Sequence, residues 1–284
     1  AIFSAALKPR TRNRLYWIGA GAILGALCLL LWTPIARPTE ITFLDVGHGD
    51  ATFLHTWEGA TVLIDAGDHN PFVDMGARVV APFLWSSGVN HIDYAIVTHP
   101  DRDHIGGMFY IVEHMTVGEV WLPGVESDRE LEQDFLDLCR RRGVPTRRVC
   151  RGEVLELEGA SLEVLHPPKD WPASAGVNNA SMVLRAWWEG TSVLLPGDIE
   201  FEGEAEVASA DCEAQVLKVP HHGSQTSSSD RLIRAVHPRH AVVSTGGAFG
   251  REGVDAQVLQ RYLERGTRLY RTDQLGGITL EIHN

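Results

Sequence analysis

Four metal-competent side chains fall within six positions of the stretch Ala95-Ile-Val-Thr-His-Pro-Asp-Arg-Asp-His-Ile-Gly-Gly107: His99, Asp101, Asp103 and His104. Residues 94–98 are mostly β-branched or apolar and predict a buried strand. Pro100 stops that strand, and residues 108–114 predict a helix after the two glycines. The ligand-rich turn therefore sits between a strand end and a helix start. An anionic turn this dense repels itself unless a cation occupies it. One Asp here would read as a helix cap. Two His and two Asp point instead to a metal, and a site with an open position would be catalytic rather than structural.

If that reading holds, further ligands should stand at other strand ends. Asp65 closes a predicted strand over residues 61–65. Asp198 follows the apolar strand 192–195 and a Pro-Gly turn, and His221 and His222 follow the strand 215–219. Each alone reads as a turn or capping residue. Repeated at several strand ends, they read as one site at the edge of a sheet. His221 is the first choice as ligand because it comes first after the strand, with the reverse order of the pair left open. Further strands are expected at 41–46, 51–56, 119–122, 161–165, 182–187, 241–244 and 278–282. Helices are expected at 75–85, 130–141, 230–236 and 254–264. Strands with interspersed helices indicate a layered α/β domain. Ser224, Ser227, Ser228 and Ser229 read as turn and N-cap residues ahead of one helix.

Charge narrows the partners. The 284 residues carry a formal charge of −12. The five basic residues of the first 38 positions (Lys8, Arg10, Arg12, Arg14, Arg37) have no acidic counterparts there. The rest of the chain therefore holds 20 basic residues against 37 acidic ones. Bulk charge does not make it a general nucleic-acid binder, so an anionic substrate must be held by metal ions or a local patch. Residues 15–36 contain no charge and predict a transmembrane helix, long enough at about 1.5 Å per residue to cross a hydrocarbon core of roughly 30 Å. Gly21 and Gly25 give that stretch a small-residue spacing suited to close helix contact. The basic residues before it place the N-terminus in the cytoplasm and the large domain on the extracytoplasmic side of the cell membrane. The expected organisation is a basic flank 1–14, a span 15–36, a linker 37–40 and a hydrolase domain 41–284. Because the chain opens on Ala, a piece of a longer protein or a processed product is expected.

The motifs together resemble one family. Phe43-Leu-Asp-Val-Gly-His-Gly-Asp50, Thr98-His-Pro-Asp-Arg-Asp-His-Ile-Gly-Gly107, Asn178-Asn-Ala-Ser181, Leu195-Pro-Gly-Asp-Ile199, Leu217-Lys-Val-Pro-His-His-Gly-Ser224 and Tyr270-Arg-Thr-Asp273 cover nearly all of residues 40–284. The series looks like the metallo-β-lactamase-like C-terminal domain of ComEC-family competence proteins, membrane channels for DNA uptake. The resemblance implies a four-layer αββα sandwich with a two-metal hydrolytic site. His99, Asp101 and Asp198 would hold one ion, and Asp103, His104, Asp198 and His221 the other, with Asp198 bridging. Asp103, Asp198 and His222 would carry catalysis. Asp65 would support the site from behind, and Asn178 or Asn179 would stand as a weak ligand where many relatives have His. Two positions depart from the family: His48 replaces its usual Gln, and Gly250-Arg251-Glu252 replaces its Gly-His-Pro.

A two-metal site suits in-line phosphoryl displacement and needs no nucleophilic Ser or Cys. The expected activity is metal-dependent phosphodiester hydrolysis: a nuclease acting on DNA at the membrane channel, with the channel helices of the same protein and other competence proteins as partners. The alternatives are a hydrolase of another phosphoester, of phosphorylcholine or nucleotide type, and a catalytically silent domain that guides DNA or assembles the channel. Oxygen-rich ligands favour Mn²⁺ for turnover, while the affinity order makes Zn²⁺ the rival bound metal. Arg140, Arg141, Arg142, Arg147, Arg148 and Arg151 offer phosphate contacts. Their competing reading is a solvated helix end. Cys139 and Cys150 bracket a short connection and are expected to form a disulfide in an exported domain.

Overall fold

The computed structural model describes residues 9–31, 38–246 and 253–282. It divides into two units, Ala1–Arg37 and Pro38–Asn284. The described part of the first unit is a single helix, α1 (Pro9–Leu31). Pro9 opens it, a favoured position because its missing N–H would be unpaired there anyway. Of the span expected over 15–36, residues 15–31 lie in this helix. Among the described residues no helix is long and apolar enough to cross a membrane. The helix takes Arg10, Arg12 and Arg14 into its own first turns. The uncharged stretch left to its end at Leu31 is only about 25 Å long at 1.5 Å per residue. Residues 32–36 lie outside the described part.

The second unit holds two mixed sheets. β1 (Thr39–Phe43), β2 (Thr52–His55) and β3 (Thr61–Ile64) form a meander, followed by a small ribbon of β4 (His69–Asn70) and β5 (Val73–Asp74). Then come β6 (His91–Ile96), β7 (Thr116–Pro123) and β8 (Thr146–Val149), which join β3 in parallel. The second sheet takes β9 (Val154–Leu157), β10 (Ala160–His166), β11 (Val183–Trp188), β12 (Thr191–Leu195), β13 (Val216–Lys218), β14 (His240–Val243) and β15 (Arg268–Arg271) in uninterrupted order. β16 (Ile278–Ile282) returns to the first sheet and pairs antiparallel with β1. β8, β9 and β15 were not expected from the sequence. Their exposed Arg and Glu positions break the apolar runs by which strands are recognised.

Three apolar clusters set the layering. Leu63, Ala95 and Val120 of the first sheet pack with Leu84 of α2 (Ala81–Ser86), Ile111 of α4 (Met108–His114) and Phe135 of α5 (Glu130–Arg142). Ile41, Leu54, Ile96 and Trp121 meet Leu162, Leu184 and Val242 between the two sheets. On the far side, Leu194, Leu217 and Val243 pack with Val207 of α6 (Phe201–Val207), Ile233 of α7 (Asp230–Val236) and Tyr262 of α8 (Ala256–Leu263). Each sheet thus buries apolar side chains on both faces.

The expected disulfide is absent: Cys139 and Cys150 are both free. Cys139 lies on α5 within the first apolar cluster, where burial pushes its thiol up to about 12. An inert, buried thiol of this kind acts as a small apolar side chain.

Candidate metal centre

The short helix α3 (Arg102–Ile105) follows β6 directly, and Asp101 occupies its N-cap position. The Asp101 side chain makes no capping bond. It faces Arg129 instead, Oδ1 lying 3.3 Å from Nη2. Helix capping therefore does not account for this turn. Asp103 and His104 fall in the same helical turn and point toward the end of the second sheet, where β12 and β13 deliver Asp198 and the His221–His222 pair. Gly197, at φ +58°, makes the turn ahead of Asp198; a Cβ there would stand 3.0 Å from Ser181 and 3.1 Å from Thr98. His221 and His222 both hold left-handed backbone, φ 48° and 52°. Two consecutive non-glycine residues in that region are costly, and such strain is kept where it aims side chains.

Asp198 is the hub. Its Oδ2 has four imidazole nitrogens around it: His104 Nε2 at 3.2 Å, His222 Nε2 at 3.3 Å, His221 Nε2 at 3.9 Å and His99 Nε2 at 4.0 Å. His99 Nε2 also lies 3.8 Å from Asp101 Oδ2, and His222 Nε2 lies 3.8 Å from Asp103 Oδ2. His222 is the inner member of the pair, with its side chain nearly sealed, while His221 is partly exposed and also faces Glu200 at 3.5 Å. Of the pair, His222 and not His221 belongs to the groups of described side chains able to hold an ion. The reason is the left-handed pair, which turns the second residue inward.

Behind these rings, hydrogen bonds set their orientation. Asp65 Oδ1 accepts from the Thr98 backbone N–H at 2.8 Å, and Oδ2 accepts from the Thr98 hydroxyl at 2.6 Å. His104 Nδ1 lies 2.8 Å from the same Oδ2 and donates to it. The Thr98 proton is spent on Asp65, so its hydroxyl accepts from His99 Nδ1 at 3.1 Å. His222 Nδ1 donates to the Ser244 carbonyl at 3.0 Å. All three rings have Nδ1 occupied and Nε2 turned to the centre, the arrangement by which outer partners fix metal-ligating histidines. Asn179 turns its amide oxygen to backbone groups. Its Oδ1 accepts from the backbone N–H groups of Glu200 and Gly203, both at 3.0 Å, and so caps the start of α6.

Two participants went unread in the sequence, Asp50 and Lys218. Gly49 has φ +125°, and a Cβ there would meet the Asp103 carbonyl at 2.3 Å. This close approach brings Asp50 against His222 Nδ1 (3.7 Å) and His104 Nδ1 (3.9 Å). Lys218, at the end of β13, is buried and ion-paired to Asp50, with Nζ 3.6 Å from Asp198 Oδ1. A Lys between Leu217 and Val219 in an otherwise apolar strand was the available signal. Asp50, His104, Asp198 and His222 form one group able to hold an ion, and His48, Asp103 and His222 a second. His48, which replaces the family Gln, lies 3.4 Å from Asp103.

The electrostatics follow from burial and pairing. Burial, reinforced by the neighbouring His104, holds the His99 imidazole down at about 3, so it is a neutral ring with a free lone pair. For His104 burial works against charge, yet Asp198 and Asp65 hold it well above the usual imidazole range. Burial likewise opposes the Asp198 carboxylate, but His104, His222 and Lys218 keep it far below the ordinary value. Asp198 likewise raises His222 against its burial. Any proton held on these rings is released when a cation takes their lone pairs. Buried His99 Nε2 has no hydrogen-bond partner; Asp50 Oδ1 and Asp198 Oδ1, also without one, face His222 and Lys218. A buried nitrogen acceptor left open among carboxylate oxygens fits a divalent ion.

The fold and this centre define a class: the chain belongs to the metallo-beta-lactamase superfamily, whose family model matches residues 44–247. Among relatives, it is 32% identical over 296 residues to ComE operon protein 3 of Bacillus subtilis (strain 168), covering 98% of this chain and 38% of that protein. It is 28% identical over 278 residues to Competence protein ComA of Neisseria gonorrhoeae, covering 96% of this chain and 36% of that protein. The chain thus spans little more than a third of the length of these relatives. The metallo-beta-lactamase fold protein YhfI from Bacillus subtilis superposes with a TM-score of 0.56 at 12% identity, over 86% of this chain and 100% of that one. That likeness bears on the fold alone.

Among the arginines read as DNA contacts, Arg140 pairs with Asp137, Arg147 with Glu153, Arg148 with Glu132 and Arg151 with Glu206. Arg148 also donates to the carbonyls of Pro123 and Val125 at 2.9 and 3.3 Å, tying down the loop after β7. Arg141 and Arg142 are exposed at the end of α5. Residues 250–252, where the family Gly-His-Pro is replaced, lie outside the described residues.

Proposed function

We propose that residues 38–284 form a metal-dependent phosphodiesterase that cleaves DNA. The observation that carries this reading is the convergence of four imidazole nitrogens on Asp198 Oδ2, with Asp101 and Asp103 facing the same space. His99, Asp101 and Asp198 would hold one divalent ion, and Asp103, His104, His222 and Asp198 a second. Bound there, the ions would supply Lewis acidity to an in-line phosphoryl displacement. The protein's own part is orientation. Thr98 and Asp65 fix the His99 and His104 rings, Ser244 fixes His222, and Lys218 holds the far oxygen of Asp198 so that Oδ2 faces the site. Asp103 and His222 stand nearest the partly exposed His48, on the side open to substrate.

The choice of DNA draws on the likeness to proteins named for competence. The mixed oxygen and nitrogen donors favour Mn²⁺ for turnover. The domain is placed outside the cytoplasm in this reading, on the strength of the basic residues at the start of the chain. The test is a substrate panel with metal-stripped protein and added Mn²⁺: labelled DNA, a nucleotide phosphodiester and a phosphorylcholine ester. DNA should be cleaved fastest, and Asp103→Asn should remove most of the activity. Preference for either small ester would replace the DNA reading with that substrate class.

A further inference from the structure

A second charged site lies at the opposite end of the second sheet. A pocket of about 680 Å³ opens beside the starts of β14 and β15, lined by Arg234, His237, Arg239, His240, Arg265 and Arg268 and by no acidic residue. Its walls are the α7–β14 and α8–β15 connections. Two bonds tie them together: Thr267 Oγ1 donates to the Pro238 carbonyl at 3.0 Å, and Arg268 N–H donates to the Arg239 carbonyl at 3.0 Å. Arg239 and Arg268 therefore stand side by side on a built surface. Asp230 pairs with Arg265 at 2.9 Å and with Arg234 at 3.8 Å. Arg239 and Arg268 are exposed and have no ion-pair partner among the described residues.

Cationic side chains repel one another, and of the four guanidinium groups only Arg234 and Arg265 pair with a carboxylate, Asp230, while Arg239 also borders a neighbouring cavity lined by Glu163, Asp211 and Glu213. They gather in a concave site on a chain whose overall charge is −12. The charged side chains lining it are arginines rather than lysines, the side chain whose planar fork matches phosphate oxygens in pairs. The metal centre lies elsewhere. β14 runs from His240 at the pocket to Val243, and the next residue, Ser244, accepts from His222. At about 3.3 Å per residue the two sites are separated by roughly 13 Å of strand.

We propose that this pocket is a phosphate-binding exosite that holds the backbone of a nucleic-acid strand away from the metal centre. The phosphate chemistry is read from the arginines; the choice of a nucleic acid as its source rests on the proposed function above. Contacts of this kind are independent of sequence and weaken with salt.

Fluorescence anisotropy of a labelled single-stranded oligonucleotide, measured in EDTA so that no cleavage occurs, tests the proposal. Arg239→Glu with Arg268→Glu should weaken binding at low salt at least tenfold and reduce the salt slope by about 1.4, roughly 0.7 for each lost phosphate contact. Arg239→Gln with Arg268→Gln serves if the reversed pair fails to fold, with a smaller loss of affinity in the same direction. Unchanged affinity and slope in the Arg239 and Arg268 variants overturns the exosite. So does binding of inorganic phosphate or anionic vesicles that depends on these two residues while oligonucleotide binding does not. Cleavage by the wild type with Mn²⁺ is scored separately. Cleavage with unaltered binding in the variants removes the exosite and keeps the nuclease; lost binding in the variants with no wild-type cleavage does the reverse.

Discussion

β13 and β14 present opposite electrostatics at their two ends. At their C-terminal ends, Lys218, His222 and the Ser244 carbonyl sit in a sealed cluster where every charge has a partner of opposite sign. At the other end, Arg239 ahead of β14 and Arg268 at the start of the neighbouring β15 are exposed and have no ion-pair partner among the described residues. The contrast follows from what burial demands. A charge removed from water must be paired, and removing its partner is costly. An exposed guanidinium stays hydrated and costs little until a ligand arrives. The first kind of site should show itself in stability, metal content and chemistry together, and the second in binding alone.

The largest effect should come from the hub. Asp198→Asn removes the carboxylate shared by four imidazoles. It should lower metal-dependent cleavage by about two orders of magnitude or more, in line with the loss of a preorganised charge-stabilising group, and reduce bound metal by elemental analysis. Full metal content with full activity would remove the distinction between the two ends at its buried side. Next is Lys218→Met, which leaves Asp50 and Asp198 buried without their cation. Urea unfolding of the metal-free protein should show a loss of about 3–5 kcal/mol. A variant as stable as the wild type would show that the buried end is not charge-balanced through Lys218.

The histidine pair sharpens the contrast further. His222→Ala should weaken metal affinity more than His221→Ala does, by about tenfold or more, read by competition with a chromogenic chelator. The reverse order would restore His221 as the inner ligand.

His166 offers a milder test of buried imidazole chemistry outside the ligand set. It is fully buried, donates Nδ1 to the Ser181 carbonyl at 3.0 Å and has no partner at Nε2. Burial holds it down at about 4. Between about pH 6.5 and 4 the unfolded chain binds a proton there that the folded chain does not, so stability falls as pH drops through that window. The contribution reaches roughly 3 kcal/mol at the acid end. His166→Gln should flatten this part of the pH profile of unfolding; parallel profiles would argue against it. The smallest effect is at the exposed end, where Arg239→Glu with Arg268→Glu should change stability by no more than about 0.5 kcal/mol. A large loss on thermal melting would show that these arginines are structural.

Much of the centre was legible because of crowding. Two His and two Asp in the six positions from His99 to His104 exceed what a capped turn uses, and Asp65 and Asp198 each closed an apolar strand. Asp50 was not legible because its role depends on Gly49 closing against the Asp103 carbonyl, a contact between segments far apart in sequence. Lys218 occupied a strand position that an apolar side chain would ordinarily fill. The order of His221 and His222 turns on backbone dihedrals that no spacing reveals. The arginines of residues 140–151 look like a patch in one dimension, yet Arg148 and Arg151 find Glu132 and Glu206 through the fold. The pocket arginines show the converse. They belong to separate connections, and only the parallel pairing of β14 and β15 brings them together.

A metal-dependent phosphodiesterase organised around Asp198 is tested most directly by titrating Mn²⁺ into metal-stripped protein. Cleavage of labelled DNA is followed for wild type and Asp198→Asn side by side. Cleavage should rise with metal to saturation in the wild type and stay near background in the variant across the titration. Equal cleavage by both proteins, or wild-type cleavage unchanged by metal removal, would contradict it.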